Sequence, residues 1–371
     1  MDAIEFRRHL HRHPELSFEE FETAKYISNA LTELGIEHRT IAKTGILAKI
    51  EGRGDLKRAV VLRADIDALP VEEMTGLEYA SQNKGVMHAC GHDIHAAVLF
   101  GVLKELSQNP TFEGTVLGLF QPGEERNPGG ASYVLAEEPF ADYDVVAVVG
   151  QHVEYMLPVG TLGFREGKYM ASSDEIRFNV VGVGGHGAMR HKLKDPVQAA
   201  AVFLGKLLSV NREDLVLSIG RFIAEGATNV IPKSVYLEGT MRTFDEQERK
   251  DLKELIVKFA REVDEEFGVN IEIDISHGFP CVVNTPALIH SAKERAKERY
   301  EVVDLDLRTT SEDFGFYTTR YPSLFYRLGA GAANGESCGA PHTSTFCPNE
   351  GAITIGIEFM SSMALKLLSN G

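Results

Sequence analysis

Residues 59–62, 115–120 and 145–149 are short apolar runs, and no other feature restricts the fold of this chain as much. A strand that is apolar at nearly every position has to be covered on both faces. That condition is met in parallel sheets, whose crossover helices pack on either side. Residues 45–51 and 323–328 read as further strands. Helical spacing of apolar residues recurs between the runs, at 21–35 with a Gly stop at Gly35, and at 95–106, 286–299 and 351–368. The expected core is therefore α/β, a mostly parallel sheet with helices on both faces.

The pattern changes near Ala171. Residues 175–181 alternate as a strand, 196–210 read as a helix, and 215–223 and 234–244 as strands. A long charged amphipathic helix follows at 246–267, then a strand at 270–276. The order βαββαβ is the split unit that folds as an antiparallel sheet with helices on one face. The expected organisation is a catalytic domain in two parts, 1–171 and 284–371, interrupted by an inserted α+β domain at 172–283. A chain of 371 residues is too long for one ordinary core, which agrees with that division.

Asp and Glu number 54 against 38 Lys and Arg, a formal net charge of −16. Such a chain repels a phosphate backbone and carries no basic footprint, so a nucleic-acid partner is not expected. The stretch 96–120 is interrupted by Lys104, Glu105 and Glu113, so no membrane span is expected there. The start of the chain lacks an apolar secretory core, and the four cysteines (Cys90, Cys281, Cys338, Cys347) form no CxxC pair. A reducing, cytoplasmic setting is the expectation.

Catalytic groups on an α/β sheet collect at the carboxyl ends of its strands. Asp65 and Asp67 follow the run 59–62. The segment His88-Ala89-Cys90-Gly91-His92-Asp93 precedes the helix expected at His95. Glu124 and Glu125 follow 115–120, Gln151 and His152 follow 145–149, and His342 follows 323–328 after a Gly-rich loop. A lone His at a strand end is ordinarily a hydrogen-bonded structural residue, and adjacent acids are ordinarily a solvated loop. Their convergence on one sheet edge points to a metal site instead. Thiolate, imidazole and carboxylate together suit zinc, manganese, nickel or cobalt. Five candidate ligands (Cys90, His92, Glu125, His152, His342) exceed one tetrahedral site, so two bridged divalent ions fit better. Cys90 and His92 are expected in an extended loop, pointing the same way. Glu124 is placed to take a proton from water and pass it to a leaving amine.

These motifs, with Gly184-Gly185-His186-Gly187, Gly239-Thr240-x-Arg242-Thr243-Phe244, Glu312-Asp313-Phe314 and Leu10-His11-Arg12-His13-Pro14-Glu15-Leu16-Ser17, resemble one family. It is the aminoacylase/carboxypeptidase family of dinuclear metallohydrolases, in the amidohydrolase branch with hippurate, auxin-conjugate and N-acetyldiaminopimelate hydrolases. The resemblance implies that Cys90 bridges the two ions, that His92, Glu125, His152 and His342 complete the ligand set, and that Glu124 is the general base. It implies that Asp65 and Asp67 support the ligands, that Asn229 and Arg242 bind the substrate carboxylate or carbonyl, and that His186 polarises the scissile carbonyl of a partner's site. The inserted domain would be lid and homodimer surface. The implied reaction is attack of a metal-bound hydroxide on the amide of a small N-acyl amino acid, giving a carboxylate and an amino acid.

Two departures from the family pattern bear on substrate: Met189-Arg190-His191 where relatives commonly carry Pro-His, and Gly123 where many carry Ala. His95 and His191 stand as structural or ligand-supporting candidates without an assigned role. A dipeptidase or carboxypeptidase on the same scaffold is the alternative, although peptidase branches usually bridge with Asp. Cys90 as a covalent nucleophile would leave Glu125 and His342 without work. A metal-responsive binding protein would have no use for Glu124.

Overall fold

The computed structural model describes residues 1–331 and 339–369. The chain divides into two compact units: Met1–Tyr169 with Val283–Asp306 and Asp313–Gly371, and Met170–Val282 with Leu307–Glu312. The segment 307–312 groups with the insertion, whereas the sequence pattern places it in 284–371. Backbone bonds account for the difference, because the Ala171 amide donates to the Arg308 and Thr310 carbonyls.

The first unit is built on an eight-stranded sheet in the order Glu37–Ile41, Gly45–Glu51, Thr115–Gln121, Arg58–Asp65, Asp144–Pro158, Ser323–Gly331, Thr161–Phe164, Glu301–Asp304. The four central strands, Thr115–Gln121 to Ser323–Gly331, pair in parallel, and antiparallel pairing appears beside them. Val60, Leu62, Val116, Phe120, Val149 and Leu324 are fully buried on these strands, as two covered faces require. The helices His92–Gln108 and Gly351–Ser369 pack on each other and on the central strands. Gly351–Ser369 is the one described helix long and apolar enough to cross a membrane by length and composition. Its Ile353, Phe359, Met360 and Met363 are buried in the core of this unit.

The second unit is a four-stranded antiparallel sheet, ordered Leu215–Ile223, Ser234–Thr243, Asp174–Val181, Asn270–Ile275. The helices Pro196–Leu208 and Glu246–Phe267 pack against it and bury Phe203, Leu207, Ile256 and Val263 with Phe178 and Leu237. Asp195 and Asp245 cap these helices, each accepting two amide hydrogens of the first turn.

Among the boundaries that differ from expectation, two bear on the site. The strand expected at 145–149 runs on as Asp144–Pro158, so His152 lies within it. The helix expected from His95 begins at His92, with Gly91 before it at φ 87°. His92 is therefore the first helical residue and is not part of an extended loop.

Candidate metal centre

In the first unit the central strands deliver their side chains to one place. The Arg58–Asp65 strand ends on Asp65 and leads to Asp67. Thr115–Gln121 leads to Glu124 and Glu125, and Asp144–Pro158 carries His152. Cys90 and His92 arrive on the helix start beside them. Ligand atoms of Cys90, His92 and His152 lie within 4.8 Å of one another, and so do those of Cys90, Glu125 and His342. Cys90 is common to both groups. The geometry thus brings together the five residues singled out as ligands, and places Glu124 and Glu125 within 4.8 Å of His92.

Gly91 makes this turn possible in two ways. Its left-handed φ is costly for residues with a side chain, and a Cβ there would meet Val153 Cγ2 at 2.6 Å. His342 also has a left-handed backbone, φ 65°, and its amide donates to the Ala89 carbonyl, which ties it to the Cys90 loop.

The orientation of each imidazole follows from its hydrogen bonds. His92 Nδ1 donates to the Asp67 carbonyl at 3.0 Å and to its carboxylate at 3.2 Å. His92 Nε2 is buried and has no hydrogen-bond partner. His152 Nδ1 donates to the Val153 carbonyl at 2.8 Å, leaving Nε2 at 3.3 Å from Cys90 Sγ. Both rings therefore turn an unprotonated Nε2 to the same space when neutral, the form a metal ligand takes. His342 Nε2 lies 3.3 Å from Glu125 Oε1.

Asp67 ties the pieces together. Its second oxygen accepts the Glu125 amide at 2.9 Å and the Ser17 hydroxyl at 2.7 Å. Asp65 accepts Arg63 Nη1 at 2.6 Å and His95 Nδ1 at 2.5 Å. Arg63 is buried and also reaches Gln121 at 2.9 Å and Asp313 at 2.7 Å. Beneath the loop, Asp93 takes Arg7 at 2.6 Å and His11 at 2.9 Å. Ser17, Arg63, Arg7 and His95 are supports that the strand-end pattern does not reveal. His11 and Ser17 stand in the Leu10–Ser17 motif, whose only signal in the sequence is its resemblance to the family. His88 is buried with neither ring nitrogen hydrogen-bonded, so its contribution is packing.

The electrostatics suit a cation. Burial opposes charge on His92, but Asp65 and Cys90 outweigh it and hold its pKa well above the ordinary value. Hydrogen bonding to Cys90 and Glu125 pushes His342 up to about 10. Burial and then Glu125 push the Cys90 thiol up. Burial, with Arg327 and His95, keeps His152 well below the ordinary value and neutral. The surrounding groups thus favour the protonated form of His92 and His342 and the neutral form of His152. A buried, unpartnered Nε2 beside a thiol, two carboxylates and two more imidazoles fits a site for divalent ions.

The remaining candidates stand in the second unit. Gly185–His186 pairs with Val230–Ile231, and the Gly187 amide donates to the Asn229 carbonyl at 2.8 Å, so His186 and Asn229 are neighbours. His186 is exposed, and its Nδ1 accepts the Ala188 amide at 3.2 Å, which puts the neutral ring's proton on Nε2. Arg242 is half-buried and donates to the Thr309 carbonyl and Ser311 hydroxyl at 3.1 and 3.2 Å. No carboxylate lies within salt-bridge distance of it among the described residues, and burial alone lowers its pKa.

Of the two departures, Gly123 has a local cause: at φ 62°, a Cβ there would lie 2.3 Å from the Phe18 ring. Met189-Arg190-His191 forms an exposed turn in which Arg190 bonds Gln198 at 3.0 Å. Cys281 is buried and Cys347 partly so; Cys338 lies outside the described residues.

Comparison with known proteins agrees with this geometry. A model of peptidase family M20/M25/M40 matches residues 61–366. The N-acetyl-L-cysteine deacetylase of Bacillus subtilis is 37% identical over 376 residues, covering 99% of this chain and 88% of the relative. The N-acetyldiaminopimelate deacetylase of the same organism is 33% identical over 370 residues, covering 97% of each. A crystal structure of a Bacillus subtilis dinuclear metal binding peptidase from the M20 family superposes with a TM-score of 0.88 at 35% identity, covering 100% of this chain and 98% of that one. The chain belongs to peptidase family M20/M25/M40.

Proposed function

We propose that this chain is a dinuclear-metal amidohydrolase that cleaves N-acyl amino acids to a carboxylate and a free amino acid. The observation that carries the reading is the ring of Cys90, His92, Glu125, His152 and His342, in which His92 keeps a buried Nε2 without a hydrogen-bond partner. Cys90 would be shared by two ions, with His92 and His152 on one and Glu125 and His342 on the other. The thiolate, imidazole and carboxylate donors suit zinc, manganese, nickel or cobalt. When bound, two such ions supply Lewis acidity for the scissile carbonyl and lower the pKa of water.

The chain's own residues supply the rest. Glu124 takes the proton of the attacking water on its carboxylate and returns it to the amine nitrogen as the C–N bond breaks. Asp67 holds both His92 and the Glu125 backbone, so one carboxylate keeps the two halves in register. The guanidinium of Arg242, without a carboxylate partner of its own among the described residues, receives the substrate carboxylate, and Asn229 assists. His186 offers its Nε2–H to the carbonyl oxygen as charge develops there. The inserted unit acts as lid and homodimer surface, with His186 serving the partner's site, and the enzyme works in the cytoplasm.

Two of the relatives named above, at 37% and 33% identity, are deacetylases of N-acetylated amino acids, which favours an acyl amino acid over a peptide. Amine release from N-acetyl amino acids and hippurate, measured beside dipeptides, tests this. Release from acyl amino acids that chelation abolishes and added divalent metal restores is the expected result. Turnover of dipeptides alone would replace the reading with a metallo-dipeptidase or carboxypeptidase, and undiminished activity after chelation would contradict both.

A further inference from the structure

His95 is buried on the helix His92–Gln108, one turn beyond His92, and none of the steps above uses it. Both its ring nitrogens are engaged. Nδ1 donates to Asp65, and Nε2 accepts the Val153 amide at 2.9 Å. That amide stands at a particular place in the sheet. The Arg58–Asp65 strand pairs with Asp144–Pro158 only as far as Arg63 opposite Gly150, while the latter strand continues to Pro158. Val153 lies past the end of that ladder, and a buried amide there needs another acceptor. His95 supplies it.

The carbonyl of the same residue, Val153, is the group that accepts His152 Nδ1–H and turns His152 Nε2 to Cys90. A continuous chain of contacts results: Arg63 to Asp65, Asp65 to His95, His95 to the Val153 amide, and the Val153 carbonyl to His152. The His95 and His152 rings also meet edge to face, 4.7 Å between centroids. Among the described residues nothing comparable leads from His95 to Glu125 or His342, which depend on the Asp67 carboxylate and the Ala89 carbonyl for their backbone placement.

We propose that His95, held by Asp65, is a positioning residue for one half of the metal centre: it fixes Val153 and thereby the imidazole of His152, and so sets the affinity of the ion held by Cys90, His92 and His152. It does not set the affinity of the ion held by Cys90, Glu125 and His342. The proposal rests on the two-ion reading of the site and adds a division of labour to it. Asp65 and Asp67, two residues apart, then have different duties. Asp67 orients a ligand by direct hydrogen bonds, whereas Asp65, beyond its charge on His92, acts through a second histidine and a peptide group.

Two single-site backgrounds separate the halves. H342A leaves the group with His92 and His152, and H152A leaves the group with Glu125 and His342. The probe is cobalt(II), titrated into metal-stripped full-length protein and followed by calorimetry and by the thiolate-to-cobalt absorption of Cys90. Removing a partner that orients a ligand typically costs about 10–100-fold in metal affinity. H95N retains an N–H near the Nδ1 position for Asp65 and gives up the acceptor for Val153. H95Q places a carbonyl oxygen near the Nε2 position and retains that acceptor.

The expected result is a loss of about 10–100-fold in cobalt affinity for H95N in the H342A background, with no change in the H152A background. H95Q is expected to lose less than H95N. Equal loss in both backgrounds, in step with a lowered melting temperature, would reduce His95 to a general packing residue and overturn the proposal. So would unchanged affinity in the H342A background, or equal losses for H95N and H95Q. Should H95N fail to fold, D65N and H95Q carry the same comparison, with selective loss in the H342A background expected of D65N. Failure of the wild-type protein to bind cobalt would instead overturn the two-ion reading itself.

Discussion

Arg63 shows how much of the site depends on residues that never meet a substrate. Its guanidinium is fully buried and bonded to Asp65, Asp313 and Gln121. Removing one partner from such a buried set leaves charge without compensation, at a cost of about 3–5 kcal/mol. R63M is expected to lose stability in that range by denaturant unfolding, although Met fills similar space. Glu20 is a second residue with a readable effect. It accepts the Gly123 amide at 2.8 Å and the Thr44 hydroxyl at 2.6 Å, while burial and then the charge of Asp67 raise its pKa to about 7. A carboxyl raised in the folded state contributes stability in full below its unfolded value, and loses that contribution as pH rises through about 7. E20Q keeps an acceptor for Gly123 without titrating. Its melting temperature should therefore gain on the wild type between pH 5 and pH 8, and a constant difference across that range would contradict the assignment.

At the scale of elements, the Cys90–His92 turn is the piece on which geometry and sequence are most tightly joined. G91A would force a left-handed φ on Ala, costing about 1–2 kcal/mol, and would press its Cβ on Val153. Because Val153 also carries the His152 contact, metal uptake should fall together with melting temperature. G91A/V153A should recover the steric part of the melting loss and not the backbone part. The strands themselves could be read from the chain, since runs as short and as uniformly apolar as 59–62 and 115–120 suit a sheet covered on both faces. The ligand candidates could be singled out because the strand ends deliver them, and the structure brings their ligand atoms together. The start of the helix at His92 could not, because a polar, His-rich first turn carries no apolar periodicity. His95 stood out only as a candidate without a role, for a related reason: its partners are a backbone amide and an Asp 30 residues away, and neither leaves a pattern in the sequence.

At the scale of the molecule, the chain is an amide-bond hydrolase of family M20/M25/M40 whose metal-ligand candidates all lie in the first unit and whose carbonyl- and carboxylate-binding candidates lie in the second. The insertion was legible from its βαββαβ order, but the return of 307–312 to it was not, because backbone bonds to Ala171, which leave no pattern in the sequence, tie that segment to it. The division predicts a split in kinetics. R242A removes the group proposed to receive the substrate carboxylate, together with its bonds to Thr309 and Ser311, and leaves the metal-ligand candidates intact. KM should therefore rise by at least tenfold while metal content stays at the wild-type level, a loss on the order of 1.4 kcal/mol or more in binding. Loss of metal in R242A would place Arg242 in the wrong part of the mechanism.

The central claim is that Glu124 moves the proton at a two-metal site held by its neighbours. Metal analysis of purified E124Q, coupled to amine release from an N-acyl amino acid, tests it most directly. Two divalent ions per chain with turnover reduced about 10²–10⁴-fold is the predicted result. Full turnover in E124Q with both ions in place would contradict it.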